Sequence, residues 1–235
     1  MGNNPAHHGC VLIPAYQEAG RIGAVVQDVL ARITDVIVVD DGSTDGTSVE
    51  SLEAGATVIR HEENRGKGVA LETGIRAAKE RGFEYVITMD GDGQHSPEDI
   101  PAFVSAYMGK QEDVLVGNRM GDTNSMPWVR WLTNRFMSWL ISREIGQWVP
   151  DTQCGYRLYR VNVVSSVPLS ASGFAAESEI LMDLSRRGIK IGSVAVKTIY
   201  GTEKSKIHPV RDTIRFFRML RNYRRKHRRF PYAQT

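Results

Sequence analysis

Val36-Ile37-Val38-Val39 places four β-branched residues in a row and closes on Asp40. An apolar run without alternation needs cover on both faces, which is how a parallel strand between two helical layers reads. The signal recurs in Cys10-Val11-Leu12-Ile13-Pro14, Thr57-Val58-Ile59-Arg60, Tyr85-Val86-Ile87-Thr88-Met89 and Asp113-Val114-Leu115-Val116-Gly117. Helical stretches separate most of these runs. Ile22, Val25, Val26, Val29, Leu30 and Ile33 fall on one helical stripe, and further helices are predicted near 67–81 and 97–109. Strands alternating with helices predict an α/β fold, a Rossmann-like and mostly parallel sheet flanked by helices. Ligands of such sheets bind beyond the carboxyl ends of the strands. The residues at those ends are therefore informative: Pro14-Ala15-Tyr16-Gln17-Glu18, Asp40-Asp41-Gly42-Ser43 and Asp90-Gly91-Asp92-Gly93-Gln94.

The second half reads differently. Residues 125–148 hold all four tryptophans, and Trp128, Trp131, Leu132, Phe136, Trp139 and Leu140 share helical spacing, with Arg130, Asn134, Ser138 and Ser142 off that stripe. Leu158-Tyr159 and Val194-Ala195-Val196 suggest strands, and a helix is predicted around 177–187. A last helix, about 209–228, carries an apolar stripe of Val210, Ile214, Phe217, Leu220 and Tyr223 among arginines. From Arg211 to Arg229 there are nine Lys/Arg and one Asp, so a chain of net +3 carries +8 here and −5 elsewhere. A basic amphipathic end suits a polyanion: anionic lipid, nucleic acid or a phosphorylated substrate. The chain divides into a flexible N-terminus (1–9), a body (10–208) and a basic amphipathic C-terminal helix and tail (209–235).

Composition removes several classes. Hydrophobic residues at 41% and charged residues at 24% describe an ordinary globular chain rather than a disordered one. The longest uncharged stretch, Val161 to Ala176, is broken by four serines and Pro168, so a spanning helix is not expected. The opening MGNNPAHHG lacks the basic and apolar regions of a secretory leader. Cys10 and Cys154 form neither a disulfide framework nor a metal-ligand spacing, which fits a reducing cytosol.

Asp90, Asp92 and Gln94 place three oxygen-bearing side chains at period two just after an apolar strand. Hard divalent cations take oxygen ligands, and Mg2+ or Mn2+ often uses one or two carboxylates plus substrate phosphates. The bland alternative is a solvated acidic turn capping the helix that begins near Pro97. A carboxylate of Asp40-Asp41 could accept from a nucleobase N–H or ribose hydroxyls. Its alternative is a helix cap built from Ser43, Thr44 or Asp45. Competing motifs fail. Gly66-Lys67 is followed by Gly68 with His61 upstream, so there is no Walker A; Gly91-x-Gly93 has no third glycine in register; and no G-x-S-x-G elbow occurs.

In this order, Ile13-Pro14-Ala15-Tyr16-Gln17-Glu18, Val38-Val39-Asp40-Asp41-Gly42-Ser43-Thr44-Asp45, Asn64-Arg65-Gly66-Lys67-Gly68, Met89-Asp90-Gly91-Asp92-Gly93-Gln94-His95 and Gly117-Asn118-Arg119 resemble glycosyltransferase family 2, over roughly 10–215. Within the family the chain looks most like the polyprenyl-phosphate (dolichyl-phosphate) mannose and glucose synthases. Asp151-Thr152-Gln153-Cys154-Gly155-Tyr156-Arg157 is similar to the motif of the glucose-type branch. The resemblance implies the glycosyltransferase-A fold, with 10–208 as the catalytic domain. It implies that Pro14, Ala15, Tyr16, Glu18, Val39, Asp41, Lys67 and Gly91 hold the nucleotide. It implies that Asp90, Asp92 and Gln94 surround Mg2+ or Mn2+, and that Arg119, Lys204 and Lys206 face phosphate or the acceptor. One departure is Tyr200-Gly201-Thr202-Glu203-Lys204, where mannosyl members often carry an arginine.

The implied reaction moves a hexose from a nucleotide sugar to a polyprenyl phosphate with inversion. The candidate catalytic residues are Asp92, Asp151 and Glu177, with Asp151 read as an acceptor-side or positioning group. A hydroxyl acceptor needs a general base, whereas a phosphomonoester with pKa about 6 is already largely dianionic at pH 7. Arg119, Arg157, Lys204, Lys206 and Arg211 add cations that suit an anionic acceptor. The tryptophan-rich helix and the basic terminus read as interfacial elements, which predicts a cytoplasmic protein held peripherally at the cytoplasmic face of a membrane, with no specific nucleic acid partner. Core or dimer packing is the alternative for the aromatic stripe. Two rival functions stand beside this one: a family 2 enzyme with a hydroxyl acceptor, and a catalytically silent module that binds nucleotide sugar or polyanions.

Overall fold

Among the described residues seven strands align in the order β3-β2-β1-β4-β6-β5-β7. They are β1 (Gly9–Ala15), β2 (Val36–Asp40), β3 (Thr57–Arg60), β4 (Tyr85–Thr88), β5 (Val114–Asn118), β6 (Arg157–Arg160) and β7 (Ile191–Ala195). The computed structural model describes residues 8–110, 112–121, 126, 128–168, 176–197, 199 and 209–229, the last segment with side chains at 214 and 216–225. Every pairing is parallel except those of β6, which runs antiparallel to both β4 and β5.

The helices are α1 (Ile22–Leu30), α2 (Thr47–Glu53), α3 (Lys67–Glu80), α4 (Ile100–Lys110, after a 3-10 turn at Pro97–Asp99), α5 (Trp128–Ile145), α6 (Val161–Val164), α7 (Ala176–Arg186) and α8 (Pro209–Arg229). The sequence logic of β2 holds: all five of its residues are buried. Edge strand β3 is only partly covered, as an edge should be. Register then brings the motifs together. Ala15 of β1 pairs with Asp40 of β2, and Leu12 pairs with Thr88 of β4, so the loops after all three strands open on one edge of the sheet.

Helices α5 and α8 each divide into a buried and an exposed face. On α5 the buried residues are Met137, Ser138, Ile141 and Ser142. Trp128, Leu132, Phe136 and Trp139 of the aromatic stripe are exposed, which core packing of that stripe does not allow, and Ser138 and Ser142, off the stripe, lie inside. The reason is polar: Ser138 Oγ accepts the Thr152 N–H at 2.9 Å, and Ser142 Oγ accepts the Val149 N–H at 3.0 Å. On α8, Phe216, Met219, Leu220 and Tyr223 are buried, whereas Ile214 and Phe217 are exposed. These α8 residues join Met137, Ile141 and Met182 in a second cluster, separate from the main core around the sheet. Tyr223 Oη also donates to Asp183 Oδ1 at 2.8 Å.

Candidate active site

The loop after β1 is tied to the loop after β2. The N–H groups of Gln17, Glu18 and Ala19 reach Ser43 Oγ (2.9 Å), Thr47 Oγ1 (2.9 Å) and Asp45 Oδ2 (3.1 Å). Gln17 sits in the left-handed region at φ 58, a conformation the surrounding bonds hold in place. Tyr16 remains exposed, its ring presented at the sheet edge. Glu18 Oε2 meets Arg21 at 2.9 Å. Pro14 is half-buried. The side chains of Ala15 and Val39 are buried, which leaves only their backbone to a ligand.

Asp40, the last residue of β2, and Asp41, just after it, both organise backbone. Asp40 accepts from the Ser43 N–H at 2.9 Å and from the Ser48 hydroxyl. Buried Asp41 receives the N–H groups of Arg65 (3.0 Å) and Gly66 (2.7 Å) and contacts His61 Nδ1 at 2.7 Å. His61 Nε2 lies 3.0 Å from Thr73 Oγ1. Thus Asp41 fixes the turn that launches α3, and α3 begins with Lys67.

Lys67 Nζ lies 2.5 Å from Asp90 Oδ1 and 2.9 Å from Glu177 Oε1. This cluster joins three segments far apart in sequence. The two carboxylates hold the Lys67 ammonium well above its ordinary pKa against the opposing cost of burial, and Lys67 in turn holds Asp90 well below the usual carboxylate range despite its own desolvation. A Cβ on Gly155 would stand 3.0 Å from Asp90 Oδ2, 3.1 Å from Glu177 Oε1 and 3.3 Å from Lys67 Nζ, so glycine lets the 151–156 turn close on all three. Gly91 packs its backbone beside Ile22, Ile13 and Glu18. Asp92 Oδ1 accepts the Gln94 N–H at 3.0 Å. His95 is buried and stacks on Tyr156 at 5.0 Å; its Nδ1 accepts the Asp90 N–H at 3.2 Å, and burial pushes its pKa down.

The residues expected on the acceptor side are already engaged within the fold wherever they are described. Asp151 has no side-chain exposure and takes both donors of a bidentate pair from Arg119, Nε to Oδ2 at 2.7 Å and Nη2 to Oδ1 at 3.0 Å. Arg157, counted above among the cations suited to an anionic acceptor, is instead fully buried. Its guanidinium donates to the carbonyls of Cys154 (2.7 Å), Thr152 (2.8 Å) and Glu177 (2.6 Å). Burying a cation requires such acceptors, and they use it up as a strut between the 151–156 turn and the start of α7. Lys204 and Lys206 lie outside the described residues. The sequence assigns no role to His61, Thr73, Gly155 or Tyr156, although Gly155 and Tyr156 stand in the 151–157 motif; periodicity marks none of them, because their partners come from other segments.

The residues expected to hold a metal are Asp90, Asp92 and Gln94. Among the described residues no three His, Cys, Asp or Glu side chains gather into a ready cage. The bonds just given use one oxygen of Asp90 and one of Asp92 and leave the second oxygen of each outside them. Two carboxylates and an amide carbonyl fit a hard cation whose shell is completed by water and substrate phosphate, rather than one caged by protein alone.

The family described as Glycosyl transferase family 2 matches residues 10–167, which contain every strand-end motif above. The chain belongs to that family. It is a glycosyltransferase. It is 32% identical over 213 residues to the UDP-N-acetylglucosamine–dolichyl-phosphate N-acetylglucosaminyltransferase of Methanococcus voltae, covering 81% of this chain and 85% of that protein. It is 30% identical over 205 residues to the undecaprenyl-phosphate mannosyltransferase of Micrococcus luteus, covering 79% of this chain and 81% of that one. Among solved structures, glucosyl-3-phosphoglycerate synthase from Mycobacterium tuberculosis in complex with Mn2+ and UDP-glucose superposes with TM-score 0.73 at 21% identity, over 97% of this chain and 81% of that one. At that identity the likeness establishes the glycosyltransferase-A fold of this family 2 enzyme.

Proposed function

We propose that this glycosyltransferase moves a hexose from a nucleotide sugar to a polyprenyl phosphate, with inversion, at the cytosolic face of a membrane. The observation that carries the acceptor class is the state of the two candidate carboxylates, Asp151 and Glu177. Asp151 is buried with both oxygens on Arg119, and Glu177 is held by Lys67. Neither stands open to a substrate hydroxyl as a general base. A phosphate acceptor needs none, since it arrives as its own nucleophile. The names of the two curated relatives, both of which carry a polyprenyl phosphate, support the same reading.

In this reading the exposed ring of Tyr16 offers a stacking face to the base, and the ordered loop around Glu18 and Asp41 shapes the nucleotide pocket. Asp90, Asp92 and Gln94 would hold Mg2+ or Mn2+. When bound, that ion neutralises charge growing on the departing diphosphate. Lys67 lies beside the same position and contributes a fixed positive charge in a partly buried setting, where it acts more strongly than in water. Glu177 and Asp90 orient that ammonium, Gly155 lets the acceptor-side turn approach it, and the Arg119–Asp151 pair fixes the floor of the turn.

The test is transfer from separately labelled UDP-glucose, GDP-mannose and UDP-N-acetylglucosamine to polyprenyl phosphate in detergent, with Mg2+ or Mn2+. Acid-labile label should enter the lipid phase and disappear in Asp92→Ala. Donor binding or hydrolysis with no lipid product would move the acceptor to a hydroxyl. No binding of any donor would leave the silent-module reading.

A further inference from the structure

The described surface carries one concentration of large apolar side chains. Trp128, Leu132, Phe136 and Trp139 on α5 and Ile214 and Phe217 on α8 are each between 44% and 75% exposed. These residues are not a core waiting for a partner helix, because both helices have already buried their opposite faces against each other and α7. The outer faces form one patch. Phe136 and Phe217 approach to 6.5 Å across the helix pair, Phe136 and Trp139 to 6.1 Å along α5, and Arg224 is bonded to Glu144 at 2.7 Å. An open concavity of about 350 Å³ between Trp139 and Trp148 extends the patch past the end of α5.

Charge selects the occupant. Arg135 and Arg143 lie over the rings of Trp131 and Trp139, at 5.4 and 5.8 Å, and α8 presents Arg218, Arg221 and Arg225 to solvent. Glu144, the one acid in α5, is engaged by Arg224. Two copies apposed through this face would set arginine against arginine. An anionic phospholipid surface complements it, with tryptophan at the headgroup level and arginine on phosphate. Among the described residues no helix is long and apolar enough to cross a membrane, so the contact lies along the surface. The patch also borders the site, since α5 follows the carboxyl end of β5 and packs on α7, whose second residue is Glu177.

We infer that the outer faces of α5 and α8 together form a docking surface for anionic phospholipid, which seats the enzyme beside the lipid that carries its acceptor. This rests on the lipid-phosphate reading above, but it is measured apart from it. The probe is flotation, without donor, on phosphatidylcholine vesicles with and without phosphatidylglycerol, at low and high salt. Wild type should float with the phosphatidylglycerol vesicles and release as salt rises. A Trp128→Ser/Trp139→Ser variant should bind at least about tenfold more weakly, and Arg218→Gln/Arg221→Gln should lose roughly tenfold of the preference for phosphatidylglycerol. Both pairs are exposed, so melting temperature and transfer to a short-chain polyprenyl phosphate in detergent should be unchanged. Failure to float at low salt, or undiminished floating of the tryptophan variant, would overturn the inference. So would a dimer in sedimentation that the tryptophan variant abolishes, which would give the face to a second copy. Floating without lipid product in detergent would instead remove the proposed acceptor and leave the docking surface standing.

Discussion

Arg119 and Asp151 show what a charge does once it is buried. Each would be costly alone, and the pair holds because two hydrogen bonds of 2.7 and 3.0 Å replace water. Arg119→Met should therefore destabilise the protein by about 3–5 kcal/mol in urea unfolding, because it leaves Asp151 uncompensated, and Arg119→Met/Asp151→Leu should recover most of that loss. The thiols provide a second test at this scale. Burial pushes Cys154 up to about 11 and Cys10 up to about 12. The neutral thiol is thus favoured in the fold, and its contribution to stability is complete below the ordinary thiol pKa of about 8.5 and fades as pH rises from there through the raised values. Neither cysteine should react with iodoacetamide at pH 8 in the folded protein, and both should react in denaturant, as mass spectrometry would report.

The elements differ in how openly their sequences declare them. Helix α1 and strand β2 carry their burial in their apolar pattern. Helix α2 does not: its buried residues are Thr47 and Ser51, while Val49 and Leu52 are exposed. It is set by hydrogen bonds from outside the helix: Thr47 Oγ1 accepts the Glu18 N–H and donates to Asp45 Oδ1. Helix α5 carries Ser138 and Ser142 on its inner face, where their hydroxyls serve the 149–152 turn. Ile141→Ala should cost about 2–5 kcal/mol, whereas Phe136→Ala on the same helix should stay within about 0.5 kcal/mol, a contrast that chemical denaturation would read directly. In the loop after β2, Gly42 adopts φ 75, and a Cβ there would stand 2.4 Å from the Glu63 carbonyl carbon. Gly42→Ala should cost at least about 2 kcal/mol in the same experiment and weaken nucleotide binding with it.

At the scale of the whole molecule, the site exists only where separate segments converge. Lys67 opens α3, Asp90 follows β4, Gly155 lies in the turn before β6, and Glu177 starts α7. Gly155→Ala presses on the other three at once, through side-chain ends that can yield. It should lower transfer about tenfold while moving the melting temperature little, because small misplacements at a reacting centre cost rate more than stability. The strand ends made much of this legible beforehand. Unbroken β-branched runs require a doubly covered sheet, and a sheet of that kind binds at its carboxyl edge. Tyr16, Asp41, Asp90 and Asp92 could thus be assigned to one edge from local pattern. What each carboxylate does there could not be. Asp41 is spent on backbone N–H groups and Arg157 on carbonyls, and Glu177 meets Lys67 across 110 residues. Periodicity along a chain records which face of an element is apolar. It carries no information about which polar group in a distant segment satisfies a buried charge, or about which face of α5 remains outside once hydroxyls have claimed the inner one. The sequence by itself determined the layers, the edge and the family's chemistry. Packing between distant segments assigns Arg157 and the Arg119–Asp151 pair to holding the fold.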